Sequence, residues 1–129
     1  VKIKMIIRGI CCLIPENEKN IEVISVVDRF LEHTRFFIFN NNGKNETYIS
    51  SADWMTRNLD NRVEVTCPIL DKSIKDEIND IFNIYWSDNI KSRRINTQIP
   101  NQYQSNPKSK KGIRSQIEIY NYYKLKLEK

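Results

Sequence analysis

The chain holds one histidine, His33, and two residues beyond it stands Arg35. Side chains in extended backbone repeat every two residues, so a strand opening at Glu32-His33-Thr34-Arg35 would place His33 and Arg35 on one face. That pair suits phosphoryl chemistry: an imidazole attacks phosphorus or shuttles a proton, while a permanently charged guanidinium grips phosphate oxygens two at a time. A lone His-x-Arg also occurs as an ordinary surface or core histidine, so the pair gains weight only from the rest of the sequence. One imidazole excludes any site that needs two from this chain alone. The three glycines (Gly9, Gly43, Gly112) lie too far apart for a Walker A loop or a GxGxxG fingerprint. Three cysteines, two of them adjacent (Cys11, Cys12, Cys67), offer neither a disulfide framework nor a CxxC zinc site, and they fit a reducing cytoplasm. Cys11-Cys12, flanked by Ile10 and Leu13, reads as small buried filling.

Charge is unevenly spread over the 129 residues. Residues 1–89 carry 11 basic and 14 acidic side chains, a net of −3, whereas residues 90–129 carry 10 and 2, a net of +8. Such clustering is either a solvated tail or a surface for a phosphate-bearing polymer or an anionic membrane. A non-catalytic basic module that binds nucleic acid or another polyanion through Lys91–Lys111 is therefore one reading. No stretch approaches the roughly 18 apolar residues of a membrane span, and Val1–Cys12 lacks the apolar core and cleavage site of a signal peptide. A cytoplasmic protein is expected, with a membrane-peripheral position as the variant. The first residue, Val1, falls in what reads as mid-strand, so a piece of a longer chain is expected.

The elements that must position His33 can be read from periodicity. Ile3, Met5 and Ile7 alternate against Lys2 and Lys4, a half-buried strand ending at Arg8-Gly9. Ile21–Leu31 fits both periods, and its β-branching favours a strand. Arg35–Phe39, the turn Asn40-Asn41-Asn42-Gly43 and Thr47–Ser51 spell a hairpin. Arg62–Cys67 alternates again and is expected to stop at Pro68. Ser73-Ile-Lys-Asp76 resembles a capping box, and behind it Ile74, Ile78, Ile81, Phe82 and Tyr85 form one helical face. Ile95–Lys111 reads as a basic loop, and Ile113–Leu127 as a second helix with Ile113, Ile117, Tyr120 and Leu127 on its stripe. Strands followed by helices predict an α/β sandwich in one domain. Trp54 and Trp86 are expected to pack against neighbours and not to serve as platforms for bases.

His33-x-basic, a hairpin, the turn Ser50-Ser51-Ala52-Asp53, then Asn58 and the strand Arg62-Val63-Glu64 together resemble the half-site of the phospholipase D superfamily. That superfamily uses an H-x-K motif, a G-S-x-N turn and an N-x-E strand. Arg35 replaces the lysine, Asn40 stands where an aspartate would be, and Asp53 stands where the asparagine would be. With a single histidine, these departures disfavour a hydrolase. The runs Ile7–Pro15, Val27–His33, Ile49–Asp60 and Arg62-Val-Glu-Val look like the C-terminal domain of bacterial polyphosphate kinase, and the resemblance extends over residues 1–129.

The resemblance implies a phospholipase D-like mixed β-sheet flanked by helices. It also implies a part in an ATP:polyphosphate phosphotransferase that moves the terminal phosphate of ATP, through a phosphohistidine of a preceding domain, onto polyphosphate and back. ATP is then a substrate, and Mg²⁺ is the cofactor, held by residues outside this chain. Arg8 and His33 match ATP-binding positions of the family, with His33 opposite the phosphorylated histidine, and Arg62 matches a further arginine near the phosphates. Implied partners are ATP, polyphosphate, the other domains of the same enzyme and further copies of it, with no stable nucleic-acid partner. The basic C-terminal quarter, residues 90–129, would then line an exit path for polyphosphate.

Overall fold

A computed structural model describes residues 1–13, 15, 18–95, 102–104 and 112–128. The chain divides into two compact units, one of residues 1–31 and 81–129, the other of residues 32–80. Each carries its own three-stranded sheet, where the sequence suggested a single mixed one.

In the first unit, β1 (Ile3–Ile6) pairs in parallel with β2 (Ile21–Val26), matching Ile3 with Ile21 and Met5 with Val23. On the other side of β2 runs the antiparallel β6 (Ser92–Arg94), with Val26 opposite Ser92. Val23, Ile24 and Val26 of this central strand are buried, as is Tyr85. Adjacent strand residues point to opposite faces, so the burial of both Val23 and Ile24 means β2 is covered on both sides. The strand predicted over Ile21–Leu31 stops at Val26, and Val27, Phe30 and Leu31 are exposed. Beyond it Asp28, whose side chain is 1% exposed, receives both Nε and Nη2 of Arg114 at 2.7 Å. Burial raises such a carboxyl, but the bidentate bond from Arg114 dominates and holds it below its usual range.

Arg114 immediately precedes α3 (Ser115–Leu127), so the ion pair ties the start of that helix to the end of β2. A second tie is Asp88, which is fully buried. Its Oδ1 accepts the main-chain N–H groups of Ile90, Lys91 and Ser92, and its Oδ2 accepts both the N–H and the hydroxyl of Ser115. Burial pushes this carboxyl up, and the collected hydrogen bonds outweigh it and leave the group lowered. The stripe read on α3 does not face a core: Ile117, Tyr120 and Leu127 are exposed. Cys12 is exposed and Cys11 only half-buried, because they lie past the end of β1 in irregular backbone and not in a packed strand. Trp86 stacks on Phe82 at 5.9 Å and receives Lys4 over its ring at 4.9 Å.

The second unit is the predicted hairpin with a third strand added. β3 (Phe36–Phe39) pairs antiparallel with β4 (Glu46–Ser50), Phe36 opposite Ile49 and Phe39 opposite Glu46. Its turn holds Asn41, Asn42 and Gly43 all at positive φ, a conformation asparagine and glycine tolerate and most residues do not. β5 (Thr66–Ile69) pairs with β4, and it starts later than expected and runs through Pro68. The sheet order β3-β4-β5 makes β5 an edge, where a proline whose nitrogen faces away from β4 costs the ladder nothing. Val63 is 99% exposed and Val65 is exposed too, so the alternation of 62–67 does not mark a buried face.

Between β4 and β5 lies α1 (Thr56–Asn61), a helix too short to announce itself by periodicity. Trp54 stacks on Phe37 at 5.6 Å, although it remains 69% exposed. After β5, α2 (Lys72–Trp86) starts one residue ahead of the expected Ser73. Asp71, not Ser73, caps it: its Oδ1 accepts the N–H of Ile74 at 3.0 Å and the hydroxyl of Ser73 at 2.6 Å. Most of the basic loop 95–111 lies outside the described residues. Of its described part, Tyr103 bridges to Arg93, whose guanidinium sits 4.6 Å from the Tyr103 ring and donates to its hydroxyl at 2.9 Å.

Candidate functional site

In the first unit, sheet hydrogen bonding continues one residue past β1, with Ile7 N–H donating to the Ile24 carbonyl at 2.9 Å. Arg8 is the next residue, exposed, at the carboxyl end of a parallel strand. Ligands of α/β sheets collect at such ends, because the chain leaves the sheet there and side chains can turn toward solvent.

His33 and Arg62 belong to the second unit, and both are exposed. His33 does not lie in a strand. β3 begins at Phe36, so the alternation expected for His33 and Arg35 does not apply. Nor is Arg35 free to grip phosphate. Its Nε donates to Asp53 Oδ1 at 2.6 Å, and its Nη1 donates to the main-chain carbonyl of His33 at 3.0 Å. The bond from Arg35 draws the Asp53 carboxyl down, and Asp53 in turn raises Arg35. Arg57 and His33 also lie close enough to act on Asp53.

Glu64 anchors the neighbouring loop. It accepts the Ser51 hydroxyl in a short hydrogen bond and Asn58 Nδ2 at 2.7 Å. These two bonds, Ser51 first, lower its carboxyl. The Ser51 hydroxyl also receives the N–H of Val65 at 3.0 Å. Asn58 is 3% exposed, and its Oδ1 has no hydrogen-bond partner among the described residues. Arg62 sits two residues before Glu64 in extended backbone and acts on its charge, as Arg35 does. His33 and Arg62 are therefore joined to one charge cluster through Asp53, Arg35 and Glu64, while Arg8 is carried by the other unit.

Spacing pointed to Arg35 as a phosphate clamp and missed its partner, Asp53, and the Ser51–Glu64–Asn58 bracket. The signal that was available is the composition of the run Ser50–Asp60, whose polar residues are too many for a plain turn. Among the described residues, no three of His, Cys, Asp and Glu converge to hold a metal ion.

The family described as polyphosphate kinase C-terminal domain 2 matches residues 1–116. The chain belongs to that family. The chain is 52% identical over 127 residues to a polyphosphate kinase of Vibrio vulnificus (strain YJ016), a match over 96% of this chain and 18% of the relative. The polyphosphate kinase of Escherichia coli (strain K12) is 46% identical over the same length and shares. The crystal structure of polyphosphate kinase from Porphyromonas gingivalis superposes with a TM-score of 0.93 at 49% identity, covering 99% of this chain and 20% of that one. The chain thus spans about a fifth of the length of the relatives it matches. Its two small sheets with their helices are the α/β architecture of this polyphosphate kinase region.

Proposed function

We propose that the chain is the ATP- and polyphosphate-facing part of an ATP:polyphosphate phosphotransferase, with Arg8, His33 and Arg62 as its contacts to nucleotide and phosphate. The observation that carries this reading is the identity of about half to polyphosphate kinases over nearly the whole chain, in a domain that leaves all three residues exposed. In the transfer, the bond between the terminal phosphorus of ATP and its bridging oxygen breaks, and a bond from phosphorus to a histidine nitrogen of a preceding domain forms. His33 gives a proton to the departing ADP oxygen, or steadies it as a donor. Arg8 and Arg62 offset the negative charge gathering on the moving phosphoryl group. The reverse reaction returns the phosphate to ADP, and polyphosphate accepts it from the phosphohistidine in the forward one.

Mg²⁺ that the resemblance implies would be held outside this chain; Asp28, Asp53, Glu64 and Asp88 are engaged with arginines, serines, Asn58 or main-chain N–H groups. No step above passes through the metal. The phospholipase D-like character of the fold, a cytoplasmic location with a membrane-peripheral variant, and self-association of the full-length protein belong to the same proposal. Among the described residues, no helix is long and apolar enough to cross a membrane.

The deciding experiment is His33→Ala in the full-length protein. Phosphate transfer from ATP to polyphosphate should fall by roughly a hundredfold or more while the fold survives; synthesis at the wild-type rate would remove His33 from the mechanism. The competing reading, a basic module for nucleic acid through Lys91–Lys111, rests on the +8 net charge of residues 90–129. It requires salt-sensitive DNA binding that ignores substitutions at Arg8 and His33.

A further inference from the structure

We propose that Arg35, braced by Asp53, is a positioning residue that sets the main chain of His33 and with it the direction of the imidazole. The inference rests on the proposed role of His33 and goes beyond it, since neither Arg35 nor Asp53 would touch substrate.

His33 stands in irregular backbone ahead of β3, with no sheet ladder of its own to hold it. The nearest fixed main-chain point is Arg35, whose carbonyl accepts the N–H of Ser50 at 2.9 Å, one step beyond the β3–β4 pairing. From that point the Arg35 side chain folds back on its own chain. A guanidinium is a rigid plane with donors in fixed directions, so two bonds made from different nitrogens fix its orientation. Nε on Asp53 supplies the first, at 2.6 Å, and Nη1 on the His33 carbonyl the second, at 3.0 Å. The peptide that follows His33 is thereby tied to β4 and to the loop after it.

Asp53 can serve as the brace because it is itself held. Its carbonyl accepts Met55 N–H at 2.8 Å, and the Ser50 hydroxyl accepts Ala52 N–H at 3.1 Å. The Ser51 N–H closes onto the Val65 carbonyl at 3.0 Å. The Arg35 side chain is 26% exposed and that of Asp53 40%, so the pair is partly open to water, and its orientation rests on the two bonds made by separate nitrogens of one rigid guanidinium. An arginine spent in this way explains why the position two residues after His33 is useful without reaching phosphate.

Lysine at position 35 keeps a positive charge for Asp53 but has no second fixed donor for the His33 carbonyl. The test is a set of variants of the full-length protein: Arg35→Lys, Asp53→Asn, His33→Ala and the double variant Arg35→Lys/His33→Ala. Transfer from radiolabelled ATP to polyphosphate and thermal unfolding are followed for each. Arg35→Lys should lower kcat by about ten- to a hundredfold, the range expected for a misplaced catalytic group, with KM for ATP nearly unchanged and an unfolding midpoint like the wild type. Asp53→Asn keeps an acceptor for Nε and should retain most of the rate. In the His33→Ala background, Arg35→Lys should cost nothing more, since it acts only through the missing imidazole.

Independent, multiplying losses in that cycle would overturn the inference, as would a wild-type rate for Arg35→Lys beside a slow His33→Ala. If His33→Ala alone runs at the wild-type rate, the reading of His33 fails first, and the positioning role falls with it. Where the His33→Ala rate drops below detection, Arg35→Lys decides by itself. A fall in kcat at an unchanged midpoint supports the inference, and a rate that falls only in step with the midpoint overturns it.

Discussion

Asn58 shows how tightly a single polar side chain can be specified. Its Nδ2 donates to Glu64 at 2.7 Å and its Oδ1 is buried with no partner among the described residues, so the site accepts a donor and tolerates nothing charged. Asn58→Asp would set a second carboxylate against Glu64 in a place closed to water. We expect that variant to lose about 2 kcal/mol or more at neutral pH. It should recover part of the loss as one of the two carboxyls takes a proton; urea unfolding at pH 7 and pH 4.5 measures both. Asp28 gives a pH dependence of known sign. Its carboxyl is lowered in the folded chain, chiefly by Arg114, so the unfolded chain binds more protons in acid. Its stabilisation is complete above roughly pH 4, the ordinary range of an aspartate, and is lost as pH falls through the lowered folded value. Asp28→Asn should therefore reduce stability at pH 7 and flatten the acid limb of a stability–pH profile; an unchanged limb would show that the pair contributes nothing. At this scale spacing singled out His33 with Arg35 and expected both on one strand face, which the structure does not give them; Arg8 and Arg62 entered only through the family resemblance. Spacing tells which residues share a strand face only once the strand is known to include them, and β3 starts after Arg35.

Elements with strong local chemistry were legible, and those made by distant partners were not. The hairpin turn declared itself because Asn-Asn-Gly can hold positive φ, where Gly43 sits at +87°. An added Cβ at Gly43 meets no atom within 4 Å, so Gly43→Ala should cost about 1 kcal/mol from backbone conformation alone, read by thermal unfolding. By contrast, β6 is Ser-Arg-Arg, three residues without an apolar pattern, and exists because β2 needs a second neighbour. The start of α2 was displaced for a related reason. Ser73 looked like the cap, but Asp71 offers a charged acceptor two residues earlier and takes both the Ile74 N–H and the Ser73 hydroxyl. Asp88 is the largest omission, since nothing in the sequence marks an ordinary aspartate after a helix as the point that gathers four main-chain N–H groups and a hydroxyl. Asp88→Ala would strand those donors in a buried site, and a loss of roughly 2–4 kcal/mol is expected. The amides of Lys91, Ser92 and Ser115 should lose hydrogen-exchange protection in the same variant.

For the whole molecule, the decisive quantity is the number of imidazoles. The transfer proposed here uses one histidine as nucleophile and another as acid, and this chain has only His33. Its relatives extend about five times further, which leaves room for the second. The nucleophile and its acid work on opposite sides of the transferring phosphorus, so one residue cannot fill both roles in the same step. The 129-residue chain by itself is therefore expected to transfer no phosphate from ATP to polyphosphate, and incubation with radiolabelled ATP should leave no acid-labile label on it. Label appearing on His33 would make this residue the nucleophile and reverse its assignment as acid. Binding is a separate matter from turnover, because the positive charge is concentrated in residues 90–129 whatever the chemistry elsewhere. Polyphosphate should bind the isolated chain with an affinity that falls steeply with salt, the slope counting the phosphates neutralised. If Arg8 and Arg62 are among the contacts, replacing each with glutamine should weaken polyphosphate binding and make that slope shallower. DNA binding that stays unchanged in those variants while polyphosphate binding also stays unchanged would favour the basic-module reading over the phosphotransferase one.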